Sequence, residues 1–208
     1  MTTSTNPLAR PPGDSNHRKR LLDGMAAMAA SKGVAATTIA DIVREAGVSK
    51  RTFYEHFRSK EDCFLQLYRQ VAAASLHTLG AALAPERPWQ TQVETALQAY
   101  FAHLAQAPRL MRALFVEVHH LGPEGMAVRR EVMQQFADFM LEVVNGPALA
   151  GGQARRMLTR TMAMAAVGGI NELVLELIEQ GREAEVTSLT QPAAEIVRVL
   201  THAETAAR

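Results

Sequence analysis

The sequence predicts an all-α fold of about nine helices, arranged as a small N-terminal unit followed by a larger C-terminal one. Three observations carry this. Ala, Leu, Met and Glu are abundant, while Phe, Trp and Tyr make up only 5% of the chain. No stretch alternates β-branched and polar residues as a half-buried strand does. Gly and Pro fall between segments of helical apolar spacing, where they punctuate helices. The chain has 208 residues, 48% of them hydrophobic. It can therefore bury a sizeable core in one domain or two small ones.

Residues 1–15 are polar, contain a Pro-Pro pair and read as a flexible arm, with Arg10 in a solvated tail. A first helix covers about 16–32, with Leu21, Leu22, Met25, Met28 and Ala29 at helical spacing and Gly33 as its terminator. Gly24 inside it costs about 1 kcal/mol against Ala, which a close helix approach would explain. Thr37 or Thr38 caps a second helix with an apolar face of Ile39, Ile42, Val43 and Ala46, and Gly47 ends it. Val48-Ser49 opens a third helix, to residue 57. Burial of Val48, Phe53 and Phe57 leaves Lys50, Arg51, Thr52, Tyr54, Glu55 and His56 for its outward side.

Ser59, with Asp62 three residues on, opens a fourth helix over about 60–83, which Pro85 and Pro88 end. Five more are expected at about 89–106, 108–121, 123–145, 152–180 and 190–206. Pro192 is tolerable only in the first turn of the last one. The domains expected are thus 16–60 and 61–208.

Charge separates the same two parts. Residues 1–60 carry ten Lys/Arg against five Asp/Glu, whereas residues 61–208 carry twelve against sixteen. A basic third on an acidic body is the footprint of a nucleic-acid reader, although a short segment can be basic by chance. The single cysteine, Cys63, excludes an intrachain disulfide and a Cys/His zinc cluster. It lies near a helix N-terminus, which lowers a thiol's pKa, but packing is the commoner role. No signal-like N-terminus and no run of about 18 apolar residues appears, so a cytoplasmic location without a membrane partner is expected. There is no Gly-rich phosphate loop, nucleophile elbow or HExxH motif, and neither catalysis nor a cofactor is expected.

Residues 37–60, TTIADIVREAGVSKRTFYEHFRSK, run helix, Gly turn, helix. That is the scaffold of helix-turn-helix DNA readers, in which the second helix presents its N-terminal side chains to base edges. Lys50 and Arg51 can donate to guanine O6 and N7, and Thr52 offers a hydroxyl and a methyl. Tyr54, His56 and Thr37 or Thr38 can donate to phosphate, Ser49 sits at the helix start, and Lys60 adds charge at the next helix N-terminus. A solvated amphipathic helix would have the same spacing. The clustering of Lys, Arg, Thr, Tyr and His in the basic third favours the DNA reading.

GVSKRTFYEHFRSKEDCFL, preceded by TTIADIVREAG and KGV, resembles the N-terminal domain of the tetracycline-repressor (TetR) family over about residues 18–65. Gly33, Thr37-Thr38, Ile42, Ala46-Gly47-Val48-Ser49, Thr52, Tyr54, Phe57 and Lys60 fall where the family has them. Arg51 stands where many members have glycine, which should alter base preference. Ala29 stands where an aromatic core residue is usual. The resemblance implies a homodimeric, ligand-responsive transcriptional regulator, usually a repressor, on a palindromic double-stranded DNA operator. It implies a helical second domain with a pocket among its middle helices and a dimer interface built from the last two. The alternative is a DNA-binding regulator without a small-molecule switch, either an activator or controlled by a partner.

The segment 152–180 is apolar around more than one face, which a core below and a partner subunit above would satisfy. Val167, Ile170, Val174 and Leu177 there, with Ile196, Val197 and Leu200 in the last helix, are the expected homodimer interface. The expected pocket residues are Trp89, Tyr100, Phe101, His103, Leu104, Met111, Phe115, His119, Met133, Phe136, Met140, Met162 and Asn171. Met and Phe fill irregular cavities and a few polar groups orient a ligand, although for any one of these residues plain core is the commoner explanation. The effector expected is small and apolar or amphipathic. Metal binding by His103, His119 and His120 is not expected, because neighbours on a helix point to different faces.

Overall fold

The computed structural model describes residues 12–146 and 156–202. The arm expected at 1–15 lies outside these, except that the backbone of its last four residues is already helical. Also outside are the expected start of the 152–180 helix and the end of the 190–206 helix. Among the described residues there are nine α-helices. They are α1 (Pro12–Ala36), α2 (Ile39–Ala46), α3 (Lys50–His56), α4 (Lys60–Ala81), α5 (Trp89–Ala105), α6 (Pro108–Glu117), α7 (Gly122–Asn145), α8 (Arg160–Glu179) and α9 (Thr190–Thr201). Short 3₁₀ turns at Val118–Leu121 and Glu183–Leu189 follow α6 and precede α9.

Two compact units result, residues 1–67 and 68–208, and the division falls inside α4. The first turns of α4 belong to the first unit because Cys63, Phe64, Leu65 and Leu67 are buried.

In the first unit, α1 lies on α2 and α3. Leu21, Leu22 and Met25 of α1, Ile42 of α2 and Phe53 of α3 are all 0% exposed. Gly24 is where α1 meets α2: a Cβ there would sit 2.9 Å from the Ile42 carbonyl oxygen. No larger residue fits without moving backbone, which accounts for a glycine inside a helix. Gly33, at φ 80°, breaks α1 before its last three residues.

Each short helix is held at its N-terminus. The Thr38 hydroxyl accepts from the Asp41 amide at 3.2 Å, and the Asp41 carboxylate accepts from the Thr38 amide at 3.0 Å, a closed capping box. Ser49 caps α3 through the Thr52 amide at 3.1 Å. Ser59 accepts from the Asp62 amide at 3.1 Å to open α4. The Asp41 carboxylate also takes the Lys32 ammonium at 2.6 Å and the Arg44 guanidinium at 2.8 Å. The Lys32 contact first, then the Thr38 hydroxyl and amide, hold the carboxyl well below the usual carboxylate range.

In the second unit, α5 packs on α9 and on the Glu183–Leu189 turn, and α7 packs on α8. Side chains tie the ends together. Asn145 donates to the Leu158 carbonyl at 3.0 Å and accepts from its amide at 2.9 Å, and the Trp89 indole donates to the Thr201 hydroxyl at 3.2 Å. Arg112 donates to the Ile178 carbonyl at 2.9 Å, near the end of α8. Arg69 grips Glu131 with two nitrogens. Helix α8 begins at Arg160, later than expected, because residues 156–159 are not helical and Thr159 caps it through the Met162 amide. It is long and apolar enough by composition to cross a membrane, yet Ala163, Ala166, Ile170, Val174, Leu177 and Ile178 sink one side of it into the unit's core.

Candidate nucleic-acid interface and cavity

Helix α3 is anchored by two rings. Phe53 and Phe57 are 0% and 2% exposed, with centroids 5.6 Å apart. This leaves Lys50, Arg51, Tyr54 and Glu55 exposed and Thr52 and His56 half-buried. Tyr54 stands edge-on to Phe53 at 5.6 Å and keeps 60% of its surface exposed. Arg51 lies along the helix and pairs with Glu55 at 3.2 Å, one turn on. Exposed pairs of this kind are weak, on the order of 0.3–0.5 kcal/mol, so a better acceptor can draw Arg51 away. Ser49 and Thr52 share a hydroxyl contact of 3.0 Å at the helix start. Lys50, Arg51, Thr52 and Tyr54 therefore lie together on one short helix, as expected.

Two residues expected at phosphate have other work. Thr37 is 1% exposed, and its hydroxyl donates to the Gly33 carbonyl at 2.6 Å. Thr38 alone remains exposed at the start of α2. The Lys60 ammonium donates to the carbonyls of Val34, Ala35 and Thr37 at 2.9, 3.1 and 2.8 Å. An ammonium has three N–H groups, and these contacts use all of them. Lys60 thus closes the α1–α2 turn instead of presenting its charge outward.

Arg20, a residue the sequence did not single out for this, plays a matching part at the helix-turn-helix turn. It donates to the Gly47 carbonyl at 3.0 Å, and Gly47 itself sits at φ 60°. Arg18 lies over the Phe57 ring at 5.8 Å and donates to Gln66. Burial pushes the Cys63 thiol up to about 12, so the helix N-terminus does not activate it and the residue packs as core.

The second unit holds a partly open cavity of about 290 Å³. Of the pocket residues expected, Trp89, Tyr100, His103, Leu104, Met111, Phe115, Met133, Phe136, Met140 and Asn171 line it. Three do not. Phe101 is 0% exposed within the unit's core, its ring 5.1 Å from that of Tyr100. His119 sits in the Val118–Leu121 turn with Nδ1 3.3 Å from the Val116 carbonyl oxygen. Met162 packs against the core near the start of α8.

The dimer residues also need correction. Val174, Leu177 and Val197 are 0%, 6% and 5% exposed within the single chain, and Val167, Ile170 and Val197 line the cavity. Only Ile196 and Leu200 of that set remain partly exposed without lining it. The larger exposed apolar groups are Met157 and Val199, 66% and 63% exposed. Among the described residues no three His, Cys, Asp or Glu side chains come together as a metal site.

A family model described as bacterial regulatory proteins, tetR family, matches residues 21–67, which contain α2, α3 and their supports. Residues 21–67 thus carry the N-terminal domain of the TetR family. The transcriptional regulator EthR of Mycobacterium tuberculosis is 27% identical over 202 residues, covering 93% of this chain and 87% of that one. The repressor KstR2 of Rhodococcus jostii is 36% identical over 75 residues, 31% of this chain and 37% of its own. Among solved structures, Bacillus subtilis FadR in complex with stearoyl-CoA aligns with a TM-score of 0.73 at 16% identity, covering 88% of this chain and 99% of that one. At that identity the likeness concerns the fold. This TetR-family chain is a DNA-binding transcriptional regulator, not an enzyme.

The residues that sequence reading missed in this TetR-family chain are mostly those of α4. Tyr68, Val71, Ala72, Ser75 and Leu79 line the cavity. Their spacing of three and four was the available signal, but it is shared by any helix with a buried side.

Proposed function

We propose that this TetR-family regulator is a homodimeric repressor of a palindromic operator, released by a small effector held in the cavity of its second unit. The observation that carries this is a single chain with an exposed cationic helix in one unit and an apolar cavity in the other. In this reading Lys50, Arg51 and Thr52 contact bases, while Ser49, Thr38, Tyr54 and His56 contact the backbone. Helix α4 gives its first turns to the first unit's core and its later turns to the cavity wall. It is thus the element through which occupancy reaches DNA affinity.

The dimer rests on the outer sides of α8 and α9, with Val199, Ile196 and Leu200 on α9 and the exposed Ala165 on α8. Two-fold symmetry would set two reading helices about 34–36 Å apart, one duplex turn. The relatives fit this reading: KstR2 is named a repressor and the FadR structure holds an acyl-CoA. Such a protein works where the DNA is, in the cytoplasm.

The test begins with selection of bound sequences from a random duplex pool. A two-fold symmetric site bound by two chains supports the reading, and an asymmetric site bound by one chain refutes the dimer. Ala96→Leu then narrows the cavity, since Ala96 is buried in its wall. The variant should bind the selected site yet lose release by any effector found for the parent. Release that persists unchanged would move the effector site elsewhere, and a parent that no small molecule releases would favour control by a partner protein.

A further inference from the structure

Helix α3 carries one carboxylate among its outward side chains, that of Glu55. A negative charge on a face that meets phosphate weakens binding to every DNA sequence alike. Something must offset that loss for a reading helix to carry it. Glu55 Oε1 accepts from Arg51 Nε at 3.2 Å, one turn along the same side of the helix. A guanidinium has five N–H groups, one on Nε and two on each terminal nitrogen. Among the described residues, no other protein group hydrogen-bonds Arg51. Its four terminal N–H groups are thus free, and they form the fork that meets guanine O6 and N7 end-on.

We infer that Glu55 is a positioning residue for Arg51: it holds the guanidinium by Nε so that the two terminal nitrogens are presented to one guanine. This rests on the reading of Arg51 as a base contact. The Arg51 side chain is 90% exposed, and an untethered arginine samples many rotamers that are lost on binding. A hold on Nε removes part of that loss before DNA arrives, and it leaves the fork unused. The pair is weak in water, so it biases the side chain without locking it. In a groove, water leaves the pair and the hold tightens as the local dielectric falls. Phosphate contact works against the same arrangement. Swinging Arg51 to the backbone gives up Glu55 and leaves its carboxylate beside phosphate oxygens. The pair therefore lowers general affinity and raises discrimination at one base.

The experiment is competition binding of the full chain to three kinds of duplex. They are the one selected from a random pool, its single-base variants at the guanine that Arg51→Ala ceases to read, and a scrambled duplex of equal length. Glu55→Ala should lower discrimination at that guanine about fivefold. The same variant should bind the scrambled duplex about twofold to threefold more tightly in low salt. These opposite signs separate positioning from damage to the helix, which would weaken both. Glu55→Gln keeps an acceptor oxygen at the same reach, and its discrimination should fall between those of the parent and Glu55→Ala. In the Arg51→Ala background, Glu55→Ala should change discrimination there by less than about twofold. Unchanged discrimination in Glu55→Ala overturns the inference, as does a loss of equal size with and without Arg51. Should Arg51→Ala read every base position as the parent does, the assignment of Arg51 to bases fails, and this inference fails with it.

Discussion

The two candidate functional regions of this chain are built in opposite ways. The DNA face is made by neighbours: Ser49 to His56 fall within one short helix, and local rules decide which of them face out. The cavity is made by strangers: its wall draws on α4, α5, α6, α7, α8 and α9, over residues 68 to 197. A surface made by one helix needs its core side fixed, and Phe53 and Phe57 do that. A cavity needs six helices to stop short of filling space. The first kind of site is exposed and charged, and the second is apolar and neutral. Damage should therefore separate them cleanly.

Phe53→Ala carries the largest expected effect. It removes a fully buried ring under the reading helix and should cost about 3–5 kcal/mol of the first unit's stability. Thermal unfolding followed beside ligand titration checks it. Loss of ligand binding in step with DNA binding would mean that the two regions stand or fall together.

Arg51→Ala comes next, at about 1–3 kcal/mol on the best DNA site, with specificity relaxed at one base position and stability unchanged. Equal losses on every sequence, measured by competition binding, would move Arg51 from bases to backbone.

Lys60→Ala sharpens the comparison from inside the first unit. Its ammonium ties three carbonyls at the α1–α2 turn, so the variant should lose about 1–2 kcal/mol of stability. The dependence of DNA affinity on salt should keep its slope. A slope flattened by about one unit would instead return Lys60 to phosphate.

The smallest effect is one of pH. The Asp41 carboxyl is held below its ordinary value by Lys32 and then Thr38. Its unfolded value is near ~3.9, so the stabilisation is complete above about pH 4 and fades as pH falls toward the lower folded value. Asp41→Asn should be less stable than the parent at pH 7, and the gap should close as pH drops below about 4. A constant gap in acid unfolding curves would show that charge on Asp41 plays no part.

Legibility followed the same division. The caps at Thr38, Ser49 and Ser59 could be read because a side chain and an amide three residues on are enough to make one. Gly24 announced a close helix contact for a similar reason: a glycine inside a helix has a local cost that something must offset. The two threonines before α2 could not be told apart, since only the path of the chain after Gly33 buries Thr37 and exposes Thr38. Lys60 read as a phosphate ligand because its sequence neighbours do not include the carbonyls of Val34 and Ala35, which the fold brings to it.

In the second unit the apolar residues were evident and their partners were not. Val174, Leu177 and Val197 face their own core, although a two-sided apolar helix fits a partner subunit just as well. Phe101 and Tyr100 are adjacent, yet one is packed solid and the other borders the cavity, because successive helical positions diverge by about 100°.

By itself, the sequence determined the all-α class, the capped starts of α2, α3 and α4, the reading helix and its outward residues, because each of these depends on groups within a turn or two. Only the tertiary structure decided which apolar residues line a cavity, which pack solid and which stay exposed. It also decided that Lys60 and Arg20 brace turns 23 to 27 residues distant along the chain. Those outcomes depend on how six helices share one volume, and hydrophobicity records the demand for burial without naming the partner that meets it.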